Sequence, residues 1–127
     1  MSSGTLRISE DHVWVQSQDG EARVGISDFA AEALGTIIYV ELPEVGDEVT
    51  KGEPFAAVES GKASVELPAP ISGKILKVNE KLEDIPDLIN QDTFAKGWIA
   101  VLSLKDGSDL NELMTKADYD FYVAGSE

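Results

Sequence analysis

The residue whose type and setting point most directly to chemistry is Lys62. It lies in the run Phe55-Ala56-Ala57-Val58-Glu59-Ser60-Gly61-Lys62-Ala63-Ser64-Val65-Glu66-Leu67. Taking Gly61-Lys62 as a two-residue turn sets Ser60 opposite Ala63, Glu59 opposite Ser64, Val58 opposite Val65, Ala57 opposite Glu66 and Ala56 opposite Leu67. Apolar pairs then share one face, and a slip of one residue would bury the carboxylates. Glycine at the first central position suits a type II′ turn. The lysine is thereby expected at an exposed hairpin tip. Schiff-base chemistry needs a desolvated amine, so an exposed lysine suits it poorly. Such a lysine is open to an enzyme that acylates it. Lysines are also common at turns, so the geometry alone is compatible with an unmodified residue.

Glu59 and Glu66 flank the tip. They could guide an attaching enzyme, or simply form a solvated hairpin face. The register does not set them opposite each other, and the sequence shows no cleft, which argues against an acid–base pair. His12 is the only histidine, and a surface strand position is expected for it ahead of catalysis. There is no cysteine, which removes disulfides, thiolate catalysis and cysteine-based zinc sites together. No calcium-loop pattern or phosphate loop is present; the glycines at 25, 35, 46, 52 and 73 fit turns and caps. Trp14 and Trp98 are expected in packing roles.

The net charge is −14, from 24 acidic and 10 basic residues. Such a surface repels phosphate backbones, so nucleic acid is a poor partner. It suits brief docking on larger proteins with basic entrances, or serves solubility alone. A length of 127 residues suits a single domain spanning residues 1–127, and 43% apolar with 27% charged residues is ordinary for a soluble protein. The densest apolar run, Trp98 to Leu102, is too short to cross a bilayer. The start Met-Ser-Ser-Gly-Thr has neither a secretory apolar region nor an Arg-rich transit pattern. The expectation is a cytoplasmic monomer with no membrane contact.

Positioning Lys62 falls to short strands. Residues 5–16 read as a strand through the alternation around Val13 and Val15, followed by a turn at Gln18-Asp19-Gly20-Glu21 and a return strand over Arg23 to Ile26. Ser27 is placed to cap a helix over Phe29 to Leu34, and Gly35 to stop it. Ile38, Val40 and Leu42 alternate with Ile37, Tyr39 and Glu41 in a further strand. Beyond the hairpin, Ile75 to Val78 reads as strand, Asp84 to Asn90 as a short helix and Gly97 to Leu104 as a closing strand. Ser108 to Ala124 has helical character, with Ser108 as cap and Leu110, Leu113 and Met114 as its apolar face. Short strands at this spacing predict a mainly β sandwich or barrel, and the strands on either side of residue 62 suggest two mirrored halves.

The ordered set of motifs resembles the H proteins of the glycine cleavage system. The resemblance rests on His12-Val13-Trp14-Val15, Val24-Gly25-Ile26-Ser27-Asp28-Phe29-Ala30, Glu32-Ala33-Leu34-Gly35 and Tyr39-Val40-Glu41-Leu42-Pro43-Glu44-Val45-Gly46. It continues through Val58-Glu59-Ser60-Gly61-Lys62-Ala63, Ala69-Pro70-Ile71-Ser72-Gly73, Val78-Asn79-Glu80, Leu88-Ile89-Asn90 and Gly97-Trp98. Each motif alone is weak; their order over residues 6 to 122 is specific. The resemblance implies a lipoyl-domain-like β-sandwich (a barrel-sandwich hybrid) with short helices and a C-terminal helix. It implies lipoate covalently attached to Lys62, with Glu59, Ser60, Gly61, Ala63 and Glu66 recognised during attachment by a lipoate ligase or octanoyltransferase. It further implies a non-catalytic carrier. Its arm would take the aminomethyl group of glycine from a glycine decarboxylase (P protein) to an aminomethyltransferase (T protein), and dihydrolipoyl dehydrogenase (L protein) would reoxidise it.

The chain departs from the family at several positions. H proteins usually read Glu-Ser-Val-Lys-Ala-x-Ser-Asp at the tip. Here Glu-Ser-Gly-Lys-Ala-Ser-Val-Glu-Leu-Pro-Ala-Pro is closer to lipoyl domains of 2-oxoacid dehydrogenase complexes, with Glu66 in place of the usual aspartate. Val13 replaces a glutamate, and Phe29 a histidine or tyrosine, at positions that in the family help to line a cleft for the loaded arm. An H-like protein that relays lipoate to other proteins, or serves another redox pathway, is the alternative carrier reading. Biotin carriage is disfavoured because Lys62 is not set between methionines. A structural module with Lys62 unmodified is the reading from a different class.

Overall fold

The computed structural model describes residues 5–18, 20–104, 110 and 112–125. The first half of the chain runs β1 (Thr5–Ile8), β2 (Val13–Gln18), β3 (Glu21–Ile26), α1 (Asp28–Leu34), β4 (Ile37–Glu41), β5 (Glu48–Val49) and β6 (Pro54–Ser60). The second half runs β7 (Ser64–Pro68), β8 (Gly73–Val78), α2 (Lys81–Asp84), α3 (Leu88–Gln91), β9 (Ala100–Ser103), β10 (Met114–Thr115) and α4 (Lys116–Gly125). A seven-stranded antiparallel sheet has the order β10-β1-β2-β3-β9-β8-β5, and a three-stranded one the order β4-β6-β7. Val15 and Val24 of the large sheet and Val40, Val58 and Leu67 of the small one meet in a shared apolar core. This is the mainly β sandwich that the sequence predicts.

The large sheet is covered on both faces around β2. Val13 and Val15 enter the main core, while Trp14, also fully buried, points the other way. There it packs with Ile8 and with Tyr119 from α4. This outer cluster explains why β2 lacks the polar alternation of a half-solvated strand. The Trp14 indole N–H donates to the Thr93 carbonyl at 3.0 Å, which settles its buried polar atom.

Several elements differ from the sequence reading. The strand expected over 5–16 is two strands joined by a tight turn. The Ser9 hydroxyl accepts from the amides of Asp11 and Val13, both at 3.2 Å, and His12 takes the left-handed conformation at φ 70°. In β4 a bulge between Ile37 and Tyr39 resets the alternation, so Ile37 and Val40 are buried while Ile38 faces solvent. The helix expected over 84–90 is two single turns, α2 and α3, separated at Ile85-Pro86-Asp87. Proline disfavours helical geometry in the residue before it. The closing strand is shorter than expected, Ala100–Ser103. Within the span 108–124 expected to be helical, Leu110 is helical and a helix runs over Lys116–Gly125, but Met114 and Thr115 between them pair with Ile8 and Arg7 of β1. The Thr115 hydroxyl accepts from the Asp118 amide at 3.1 Å and serves as the cap; Ser108 and Asp19 lie outside the described residues.

Other expectations hold. Ser27 caps α1, accepting from the Ala30 amide at 3.2 Å, and Gly35 closes it at φ 85°. Asn90 then ties the ends of α1, α3 and β4 together. Its oxygen accepts from the Ile37 amide at 2.9 Å, and its amide donates to the Gly35 carbonyl at 2.9 Å.

Candidate functional site

Lys62 sits at the turn between β6 and β7. The register of this hairpin is the predicted one: Glu59 faces Ser64, Val58 faces Val65, Ala57 faces Glu66 and Ala56 faces Leu67. Val58 and Leu67 anchor it in the core. Val65 stays partly open because β7 is an edge strand.

The turn itself is built differently from the type II′ geometry expected. That turn needs φ > 0 at Gly61, yet Gly61 is not among the residues with positive φ. The Ser60 side chain is what holds the tip. Its hydroxyl, only 5% exposed, accepts from the Lys62 amide at 3.1 Å and the Ala63 amide at 3.2 Å. The Ser60 amide donates to the Ala63 carbonyl at 2.8 Å. One serine hydroxyl thus takes up the amides of Lys62 and Ala63, in the manner of a side-chain-mimicked turn. The loop conformation needs no glycine, and Gly61 has open space where a Cβ would lie. Gly61, Lys62 and Ala63 are all exposed.

Two rows of side chains point outward from the small sheet. One is Tyr39, Glu59 and Ser64; the other is Glu41, Ala57 and Glu66. The inward row between them is Val40, Val58 and Val65. Glu41, Glu59 and Glu66 therefore stand exposed on the sheet that carries Lys62, next to Tyr39 at 55% exposure. Glu59 and Glu66 lie on that face as expected. Tyr39 and Glu41 were not among the residues predicted for the site; the register of β4 against β6 brings them there, and this long-range pairing leaves no local signal.

His12 is not on a surface strand. Its Nδ1 lies 2.7 Å from the Tyr119 hydroxyl, which in turn lies 2.6 Å from the Ser27 hydroxyl. Phe29 and Tyr122 flank the ring at 5.4 and 6.4 Å between centroids. Burial pushes the His12 pKa below its ordinary value, partly offset by the Asp11 carboxylate. Burial pushes the Tyr119 hydroxyl up, opposed by its hydrogen bond to Ser27. Val13 is wholly buried in the main core and so lines no cleft. Phe29 is half-buried over His12 and packs with the outer cluster under α4.

Among the described residues, no group of three or more His, Asp or Glu side chains could hold a metal, and no helix is long and apolar enough to cross a membrane. The residues around Lys62 do fit an acylated amine. The amine is exposed, the strands beneath it are fixed, and its ammonium makes no ion pair among the described residues.

Comparison with known proteins gives a consistent picture. The family model described as glycine cleavage H-protein matches residues 6–125. The chain is 49% identical over 115 residues to a glycine cleavage system H protein of Bacillus licheniformis, covering 91% of each. It is 47% identical over 122 residues to that of Anaeromyxobacter sp. strain K, covering 96% of this chain and 95% of the other. The crystal structure of a glycine cleavage system H protein from Mycobacterium marinum superposes with a TM-score of 0.87 at 36% identity, covering 95% of this chain and 98% of that one.

Proposed function

The chain belongs to the glycine cleavage H-protein family, and on that footing we propose that it carries lipoate in amide linkage on the Lys62 Nζ and conveys the aminomethyl group of glycine between its partner enzymes. The observation that carries this reading is Lys62 itself, exposed on a turn that the buried Ser60 hydroxyl braces through the two neighbouring amides.

When bound, lipoate supplies a dithiolane that takes part in redox and group-carrying chemistry. The chain's own residues supply presentation. Ser60 fixes the tip, so the attaching enzyme meets one conformation and orders little on binding. Glu59 and Glu66, with Gly61 and Ala63, form the surface by which a lipoate ligase or octanoyltransferase recognises the lysine. The partners are a glycine decarboxylase, an aminomethyltransferase and dihydrolipoyl dehydrogenase. Each visit by a tethered arm is effectively intramolecular once the carrier has docked. The excess of 24 acidic over 10 basic residues speeds encounter with basic entrances. In this reading the protein is a single, monomeric carrier domain, cytoplasmic and without catalysis of its own.

Intact mass spectrometry after incubation with lipoate, ATP and a lipoate ligase tests the attachment. A mass gain of one lipoyl group, absent in Lys62→Arg, is expected. No gain with a ligase that is active on another acceptor overturns it. The lipoylated protein is then expected to restore glycine decarboxylation with the partner enzymes. Full lipoylation without that activity would favour relay of lipoate to other proteins.

A further inference from the structure

A hollow near the ends of α2 and α3 shares no residue with the Lys62 hairpin. Its wall is Ile85, Leu88 and Trp98, and its rim carries Lys81, Lys96 and Asp84. Its volume is about 490 Å³, within the roughly 300–1,000 Å³ usual for small-molecule sites. Ile85 is 44% exposed there, an isoleucine held open where the chain breaks between the two helical turns.

The wall is pinned from behind. Asn79, only 5% exposed, donates one amide hydrogen to the Lys96 carbonyl at 3.0 Å and one to the Trp98 carbonyl at 2.8 Å. The Arg23 guanidinium lies 5.7 Å from the Trp98 ring centroid. Residues 96 to 98 are therefore fixed before any ligand arrives.

The charge of the rim runs against that of the molecule. Acidic residues outnumber basic ones by 24 to 10, yet neither Lys81 nor Lys96 makes an ion pair among the described residues. Among the residues that line the hollow, two ammonium groups and one carboxylate leave one net positive charge beside its apolar wall. That matches one negative charge on an apolar body, and Asp84 opposes a dianion. We propose that this hollow is a binding site for a small amphipathic monocarboxylate, its apolar body against Ile85, Leu88 and Trp98 and its carboxylate between Lys81 and Lys96.

Hexanoate is the probe and hexanamide its neutral counterpart, titrated into the full chain and followed by NMR. Hexanoate is expected to shift the Trp98 indole and the Ile85 and Leu88 amides saturably, and hexanamide to bind about tenfold more weakly, the scale of two exposed charge contacts. The double variant Lys81→Gln/Lys96→Gln is expected to bring hexanoate down to the level of hexanamide. Ile85→Asp, which places a second carboxylate in the wall, is expected to abolish the shifts. All three positions are exposed, and unchanged resonances elsewhere would certify the fold. Equal binding of the two probes overturns the proposal, as does an unchanged affinity in the double lysine variant. Shifts confined to the Lys62 hairpin, or no saturable shift at tens of millimolar, overturn it too.

Discussion

Trp14 stands directly across from Gly25 in the β2–β3 pair, and its indole fills the space that a side chain at position 25 would need. A Cβ there would meet three atoms of the ring at 2.8 Å. The ring cannot yield easily, since it is fully buried and its N–H is engaged with Thr93. Gly25→Ala is therefore expected to destabilise the protein by about 1–3 kcal/mol, as other overpacked cores are, measured by urea unfolding. Wild-type stability in the variant would mean that the indole has room to move.

The tip makes a paired prediction. Ser60→Ala removes the acceptor for two turn amides and is expected to cost about 1 kcal/mol and to slow lipoyl attachment, followed by intact mass against time. Gly61→Val is expected to change stability by less than about 0.5 kcal/mol, because Gly61 does not use the left-handed region. A large loss in Gly61→Val with none in Ser60→Ala would reverse the roles assigned to the two residues.

Asn90 offers a third test. Asn90→Ala strips partners from the Ile37 amide and the Gly35 carbonyl, both tied to it at 2.9 Å. An expected cost of about 1–3 kcal/mol follows from leaving such groups unsatisfied. Hydrogen exchange is expected to quicken first at the Ile37 amide.

The pH dependence follows from His12. Its folded pKa lies below the ordinary value, chiefly through burial, so as pH falls the unfolded chain binds the proton first. Stability from this residue is then complete above about pH 6.5, declines as pH drops through that value, and levels off below the folded pKa. The urea midpoint of wild type is expected to fall between pH 8 and 5.5 by more than that of His12→Gln. Parallel curves for the two proteins would remove His12 as the source.

What the sequence disclosed was largely local or pairwise. The β6–β7 register follows from period-two alternation, and the Ser27 cap and Gly35 stop from residue type. The turn type was misjudged because a glycine at position 61 is only permissive, whereas the buried hydroxyl one residue earlier decides the geometry. The bulge after Ile37 and the short β10 depend on pairing with distant segments and leave no local signal, whereas the break at Pro86 is local, set by the restriction the proline places on Ile85. Tyr39 and Glu41 joined the hairpin face through the same kind of distant pairing. His12 was misplaced because its partner lies 107 residues away along the chain.

That separation bears on the order of events at the ribosome. The β6–β7 hairpin closes over neighbouring residues, whereas the cover over Trp14 and His12 is completed only when Tyr119 of α4 arrives, and such distant closures form slowly. During synthesis the β2 face that carries Trp14 is not fully covered until nearly the whole polypeptide has emerged. The lysine-bearing tip can take shape well before the outer layer does, so a nascent chain shows its attachment point before it has fully hidden its own tryptophan.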